Sequence, residues 1–226
     1  MTSSLPLPPK INAAARSLLD APAFDGEFAW LSWAGTVWRL SAGPRVIYVK
    51  RAASLGPERD RLSWLAGRLP VPELLGFYRD SGDDWLITRE VPGVPLYHLS
   101  LGWEPERIAH RLGEILRDIH SVDATTCPFG TPAPGNVLIH GDYCLPNVLV
   151  EDGRLTGLVD VGRSGLGDPR DDLAAGLWSL HYNFGPGYGG HFLDSYGAPA
   201  MTEKEMERLR RRYGKPYKTV STARQQ

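Results

Sequence analysis

The sequence predicts an α+β protein of two lobes: a small β-rich amino-terminal lobe over residues 1–91 and a mainly helical carboxy-terminal lobe over residues 92–226. Aromatic and β-branched runs separated by Gly turns dominate the first part, as strands do. From Glu104 onward the apolar period becomes helical. Between the two lies EVPGVPLYHLS, from Glu90 to Ser100, whose clustered turn formers suit a hinge.

Taken in order, INAAARSLLD (residues 11–20) reads as a short leading helix. EFAWLSWAG, TVWRLSAG and PRVIYVKR then form a three-stranded meander. Pro57 opens a helix, ERDRLSWLAGRL, with Leu62, Leu65 and Leu69 near helical spacing. LLGFYRD and DWLITREV are two further strands. Ile108, Leu112, Ile115, Leu116 and Ile119 make one apolar stripe, the mark of a core-facing helix. DDLAAGLWSL is a later helix, for which Asp168 before Pro169 is the expected N-cap, and Asp172 is expected to brace a loop.

Composition excludes several classes of function. The 25 Lys and Arg nearly balance the 26 Asp and Glu, so no global basic field recommends a nucleic-acid partner. Seven Trp and nine Tyr argue against disorder. No run of eighteen apolar residues exists, and MTSSLPLPPK lacks the charged and apolar regions of a secretion signal. A cytoplasmic protein with no membrane contact is therefore expected. Two cysteines, Cys127 and Cys144, suit a reducing compartment rather than a disulfide framework. Nothing in the chain bears on oligomeric state.

The chemistry concentrates in VLIHGDYCLPNVLVEDGRLTGLVDVGRSGLGDP, Val137 to Pro169. Asp142 follows a strand-like run, Asn147 stands five residues later, and Asp160 ends the run LTGLVD, so all three can converge at strand ends. Phosphoryl transfer needs such a set: a carboxylate to orient the attacking hydroxyl, oxygen ligands for Mg²⁺, and a cation on the phosphates. Lys50, ending the strand VIYVK, is the candidate cation, and Glu58 in the next helix its ion-pair partner. Each residue alone has a plainer reading, since loop Asp and Asn commonly form Asx-turns or caps. A zinc site at Cys127, His140 and Cys144 lacks an evident fourth ligand.

HGDYCLPN followed by LVDVGRSGLGDPRDDLA resembles the aminoglycoside phosphotransferases, most closely their 3′-phosphotransferase branch. The likeness extends from about Phe28 to Gly197, through YVK, RLSWLAGRLPVPELL, DWLITREVPG, LRDIH, TCPFG and FLDSYG. It implies a protein-kinase-like fold, ATP and Mg²⁺ as cofactors, and transfer of the γ-phosphate to a hydroxyl of a small-molecule substrate, an aminoglycoside antibiotic. By the same resemblance Asp142 is the catalytic base and Asn147 and Asp160 are Mg²⁺ ligands. Lys50 meets the nucleotide phosphates with Glu58 as its partner, Tyr48 stacks on adenine, and the backbone of Arg89 and Val91 bonds the adenine edge. The turn from Trp33 to Thr36 covers the phosphates.

The chain also departs from that family. Only a short stretch from Gly130 separates TCPF from the HGD strand, where relatives carry a helical substrate segment, so the substrate region near residues 130–137 is shortened. The Lys50 to Glu58 connection is shorter than usual, which bears against the ion pair. Residues 201–226 hold three acids, Glu203, Glu205 and Glu207, against eight Lys or Arg, a poor match to a cationic sugar. KPYKTVSTARQQ reads as a loose tail. Three functions are open at this point: a kinase of aminoglycosides or another small hydroxylated molecule, a nucleotide-binding homologue defective toward substrate, and a metal-dependent phosphoesterase using His140, Asp142 and Asp160.

Overall fold

The computed structural model describes residues 6–31 and 35–214, with the side chain of Trp30 left aside. The expected tail from Lys215 therefore lies outside the described residues, as do Trp33 and Ala34 of the turn from Trp33 to Thr36.

The leading helix α1 (Pro9–Leu19) begins on a proline and ends at Asp20 in the left-handed conformation. It buries Ile11, Ala15 and Leu19, one face at a spacing of four. That face packs on an antiparallel sheet of β1 (Gly26–Leu31), β2 (Thr36–Ala42), β3 (Arg45–Ala52), β4 (Leu74–Asp80) and β5 (Asp83–Arg89), in the order β1-β2-β3-β5-β4. Strand alternation then divides the work of β3. Ile47 and Val49 are buried in a cluster with α1, Trp38, Trp85 and Ile87, while Tyr48 and Lys50 point to the opposite face.

Helix α2 (Gly56–Leu65) follows β3 after only residues 53–55. The buried carboxylate of Asp84 in β5 accepts the Leu55 backbone N–H at 2.9 Å and the Arg79 guanidinium at 2.9 Å, fixing where α2 starts. Those two donors hold the Asp84 carboxyl below its usual range, the Leu55 N–H foremost. The helix is shorter than expected: Leu69 lies outside it. Gly67 takes φ 77° just past its end, and Pro70 follows, so the chain turns instead of continuing.

The second lobe is mainly helical. The short strand β6 (Val94–Pro95), within the expected hinge, pairs with β8 (Val148–Glu151), which pairs with β9 (Arg154–Leu158). Helix α3 (Pro105–His120) buries all five residues of the expected stripe. β7 (Val137–Ile139) pairs with β10 (Gly165–Gly167). α4 (Pro169–Phe184) is capped by Asp168, which accepts the Arg170 backbone N–H as expected. α5 (Gly189–Tyr196) packs on α3, and α6 (Glu203–Arg211), opened by a Thr202–Glu205 capping box, packs on α4. The main core runs from Leu62, Leu65 and Leu86 of the first lobe into α3, α4 and β8, so it spans both lobes beneath the cleft. Among the described residues no helix is long and apolar enough to cross a membrane.

Candidate active site

A cleft of about 300 Å³ opens where the free face of the sheet meets β8 and the segment after β9. It is lined by Tyr48, Lys50, Glu58, Arg89, Val91 and Asp160, six of the eight residues singled out in the sequence. Lys50 Nζ lies 2.8 Å from Glu58 Oε2 and 2.5 Å from Asp160 Oδ1. The short link between β3 and α2 thus does not prevent the ion pair, because Asp84 anchors the helix start and delivers Glu58 one turn later. Burial pulls the Lys50 ammonium down, yet the two carboxylates more than offset it and its pKa is raised. Burial also pushes Glu58 above the usual carboxylate range, against the pull of Lys50. The ammonium stays charged, gripped between the lobes.

Asp160 does not end its strand as expected. β9 stops at Leu158, and Asp160 sits two residues beyond with φ 57°, a left-handed conformation rare for a residue with a side chain. Such a conformation costs about 1–3 kcal/mol and persists only where the surroundings impose it. The Val159 N–H donates to the Asn147 backbone carbonyl at 3.0 Å, and the Val159 carbonyl meets His140 Nε2 at 3.0 Å. Together these two bonds hold the chain just before Asp160 and turn its carboxylate to Lys50.

Asp142 and Asn147 lie on the second lobe and are not among the residues that line the cleft. Asn147 is buried in a short 3₁₀ turn (Leu145–Asn147), and its Nδ2 donates to the Asp142 backbone carbonyl at 2.9 Å. The loop that carries Asp142 is set by Asp172, which is fully buried on α4. Its two oxygens accept the backbone N–H groups of His140 at 2.6 Å and Gly141 at 2.8 Å, and His120 Nε2 lies 3.2 Å away. Gly141 takes φ 81°, and a Cβ there would stand 2.6 Å from the Arg163 backbone oxygen, so no other residue fits. Asp172 braces the loop, as expected from its place in the sequence. Replacing it with Ala strands two N–H donors, that of His140 buried and that of Gly141 partly buried, and should destabilise the fold by about 2–4 kcal/mol. Urea unfolding checks this; a loss under about 1 kcal/mol would show the loop braced by other means.

His140 is likewise structural. One ring nitrogen faces Val159 and the other accepts the Asp142 N–H at 3.3 Å, an arrangement that joins two loops and does not suit a metal ligand. No group of three His, Cys, Asp or Glu among the described residues is placed to hold a metal. Asn147 and Asp160 could offer one amide and one carboxylate oxygen, hard donors of the kind that suit Mg²⁺.

The hinge side is more committed than the sequence suggested. The Arg89 N–H donates to the Glu73 carbonyl at 3.0 Å, so that donor is already used within the fold. The Tyr48 hydroxyl donates to Glu90 Oε1 at 3.3 Å, and Arg39 pairs with the same carboxylate at 2.9 Å. Burial, then the nearby Glu90 charge, raises the Tyr48 phenol. Glu90 and His120 went unread because isolated acids and histidines carry no spacing signal. Between Phe129 and β7, residues 130–136 form a turn, so the shortened substrate region holds no helix. Also unread was Tyr213, whose hydroxyl donates to Asp142 Oδ1.

This geometry has relatives. The chain matches the phosphotransferase enzyme family over residues 33–136 and 130–211. It is 26% identical to an aminoglycoside 3′-phosphotransferase of Niallia circulans, with 87% of each chain covered. It is 30% identical to one from Streptomyces ribosidificus, covering 75% of this chain and 87% of that one. Among solved structures, a type VIII aminoglycoside 3′-phosphotransferase aligns with a TM-score of 0.70 at 28% identity, over 91% of this chain and all of that one. An aminoglycoside phosphotransferase of Streptomyces rimosus in complex with ADP and streptomycin shares the fold, with a TM-score of 0.69 at 21% identity over 91% and 97% of the two chains. Matched over most of its length and carrying a lysine held by two carboxylates between its lobes, the chain belongs to the phosphotransferase enzyme family, as a shortened aminoglycoside 3′-phosphotransferase-like enzyme with a kinase-like fold.

Proposed function

We propose that this enzyme transfers the γ-phosphoryl group of ATP to a hydroxyl of an aminoglycoside. The observation that carries the reading is the Glu58–Lys50–Asp160 bridge in the floor of a cleft. A charged ammonium, kept in place by one carboxylate from each lobe, suits phosphate oxygens better than it suits fold stability. One buried carboxylate, Glu58, and one half-exposed carboxylate, Asp160, on a single ammonium leave net negative charge that a further cation would offset. A Mg²⁺ ion held by Asn147 and Asp160 would supply that charge and would neutralise the phosphate oxygens.

This chain's own residues divide the remaining work. Lys50 binds the nucleotide phosphates and Glu58 orients it. Tyr48, tethered through its hydroxyl to Glu90, offers its ring to adenine. The Arg89 carbonyl and the Val91 backbone meet the adenine edge. Asn147 uses Nδ2 on the Asp142 carbonyl, so its Oδ1 is the atom that would face a metal. Asp142 accepts the proton of the acceptor hydroxyl while the oxygen of that hydroxyl bonds to the γ-phosphorus and the bond to ADP breaks.

The aminoglycoside is supported by the names of the relatives, and the short turn at residues 130–136 by itself argues for an open acceptor side. Purified protein incubated with ATP, Mg²⁺ and an aminoglycoside panel should yield an acceptor carrying one added phosphoryl group, read by mass spectrometry. ATP consumed with release of inorganic phosphate alone, whatever the acceptor, would contradict the reading.

A further inference from the structure

Tyr213 lies two residues past α6, and three contacts hold it against Asp142. Its ring packs at 5.4 Å from Trp178 of α4, which stacks in turn on Tyr182 at 5.0 Å. The neighbouring Arg212 bonds Asp171 and reaches Asp168 Oδ2 at 3.0 Å, fastening the end of α6 to the start of α4. Met206 is buried in the core beneath. The segment is therefore docked, and the docking aims one hydroxyl at one carboxylate.

That hydroxyl donates to Asp142 Oδ1 and stands 3.2 Å from Cys144 Sγ. Burial raises the phenol well above its ordinary value, with Cys144 and the bond to Asp142 adding to the effect. At neutral pH it is a protonated donor. An acceptor hydroxyl about to be phosphorylated must do the same thing at the same place: donate its proton to the carboxylate of Asp142.

Given the role proposed above for Asp142, on which this depends, we propose that Tyr213 occupies the seat of the acceptor hydroxyl and must be displaced from Asp142 before transfer. It is a specificity-determining residue. An acceptor gains the bond to Asp142 only by replacing one that already exists, so its net affinity is reduced by what Tyr213 contributes. The selection acts against acceptors that approach with a hydroxyl alone, and favours those with further groups that grip the enzyme outside the seat. Water is a small acceptor without such groups, and Tyr213 keeps it from Asp142, which limits futile hydrolysis of ATP.

Tyr213→Phe deletes the hydroxyl and keeps the ring against Trp178. The acceptor KM should fall about tenfold, the value of one hydrogen bond to a charged group, with ATP affinity unchanged. Hydrolysis of ATP without acceptor should rise. Tyr213→Leu, which also loses the ring contact, should show the same directions, and far-UV circular dichroism confirms that each variant is folded. Binding of kanamycin measured by calorimetry, without ATP, should tighten in parallel, a readout independent of turnover. If no acceptor is ever phosphorylated but kanamycin tightens and hydrolysis rises, the transfer reading fails while the seat assignment stands. A loss of kcat at constant KM would make Tyr213 an orienting partner of Asp142 instead and overturn the proposal. Unchanged KM with unchanged hydrolysis, or a phosphoryl group found on Tyr213 itself, would overturn it too.

Discussion

Asp142→Asn is expected to lower the rate of phosphoryl transfer by about a hundred- to ten-thousandfold, while ATP affinity stays within about twofold. The amide keeps the shape of the side chain but cannot take the acceptor proton. The phosphate grip proposed above is built from other residues, Lys50, Glu58 and Asp160, which bond one another. The loop itself should survive, because its position depends on the buried Asp172 carboxylate and on the Asn147 amide bonded to the backbone carbonyl of Asp142. Rapid-quench kinetics with saturating ATP, together with calorimetric titration of nucleotide, separates the two quantities. If ATP affinity falls as far as the rate, Asp142 belongs to the nucleotide site and is not the base.

Asp160→Ala should abolish the Mg²⁺-dependent part of nucleotide binding, a loss of at least about tenfold in affinity when the metal is present. A carboxylate is the stronger of the two oxygen donors, and Asn147 offers only a neutral one. The Mg²⁺-free affinity should change much less, because Glu58 still holds Lys50 at the phosphates. Titrations with and without the metal test this directly. An unchanged response to Mg²⁺ would place the metal elsewhere. An equal loss in both titrations would mean that Asp160 acts only by positioning Lys50, which it touches at 2.5 Å.

Charge complementarity limits how well a polycationic acceptor is held. An exposed aminoglycoside needs carboxylates within roughly a Debye length, about 8 Å at physiological salt. Arg210, Arg211 and Arg212 stand at the end of α6, and Glu207 is already bonded to Arg210 and Arg211. Arg212 in turn neutralises Asp168 and Asp171 at the start of α4. Glu207, Asp168 and Asp171 are thus already paired within the protein.

Much of this protein was legible in residue order alone. Period decided the element types: alternation in VIYVK set Tyr48 and Lys50 on one face, and the spacing of Ile108, Leu112, Ile115, Leu116 and Ile119 marked the core side of α3. The motif HGD…N with a later Asp marked Asp142, Asn147 and Asp160 as candidates for a phosphoryl-transfer site, the roles proposed for them above. Boundaries were less legible. The end of α2 at Leu65 instead of Leu69, and the step of Asp160 out of β9, depend on left-handed backbone positions at Gly67 and Asp160 that apolar period does not encode. Three features were decided only by tertiary structure: the contact of Lys50 with Asp160 across the lobes, the choice of the His140 and Gly141 N–H groups as the partners by which Asp172 braces its loop, and the contact of Tyr213 with Asp142. Each joins residues distant in the chain, 110 apart for Lys50 and Asp160 and 71 apart for Tyr213 and Asp142. Such contacts are set by how whole helices and sheets pack against one another, and a local pattern carries no information about what a distant segment will bring to it.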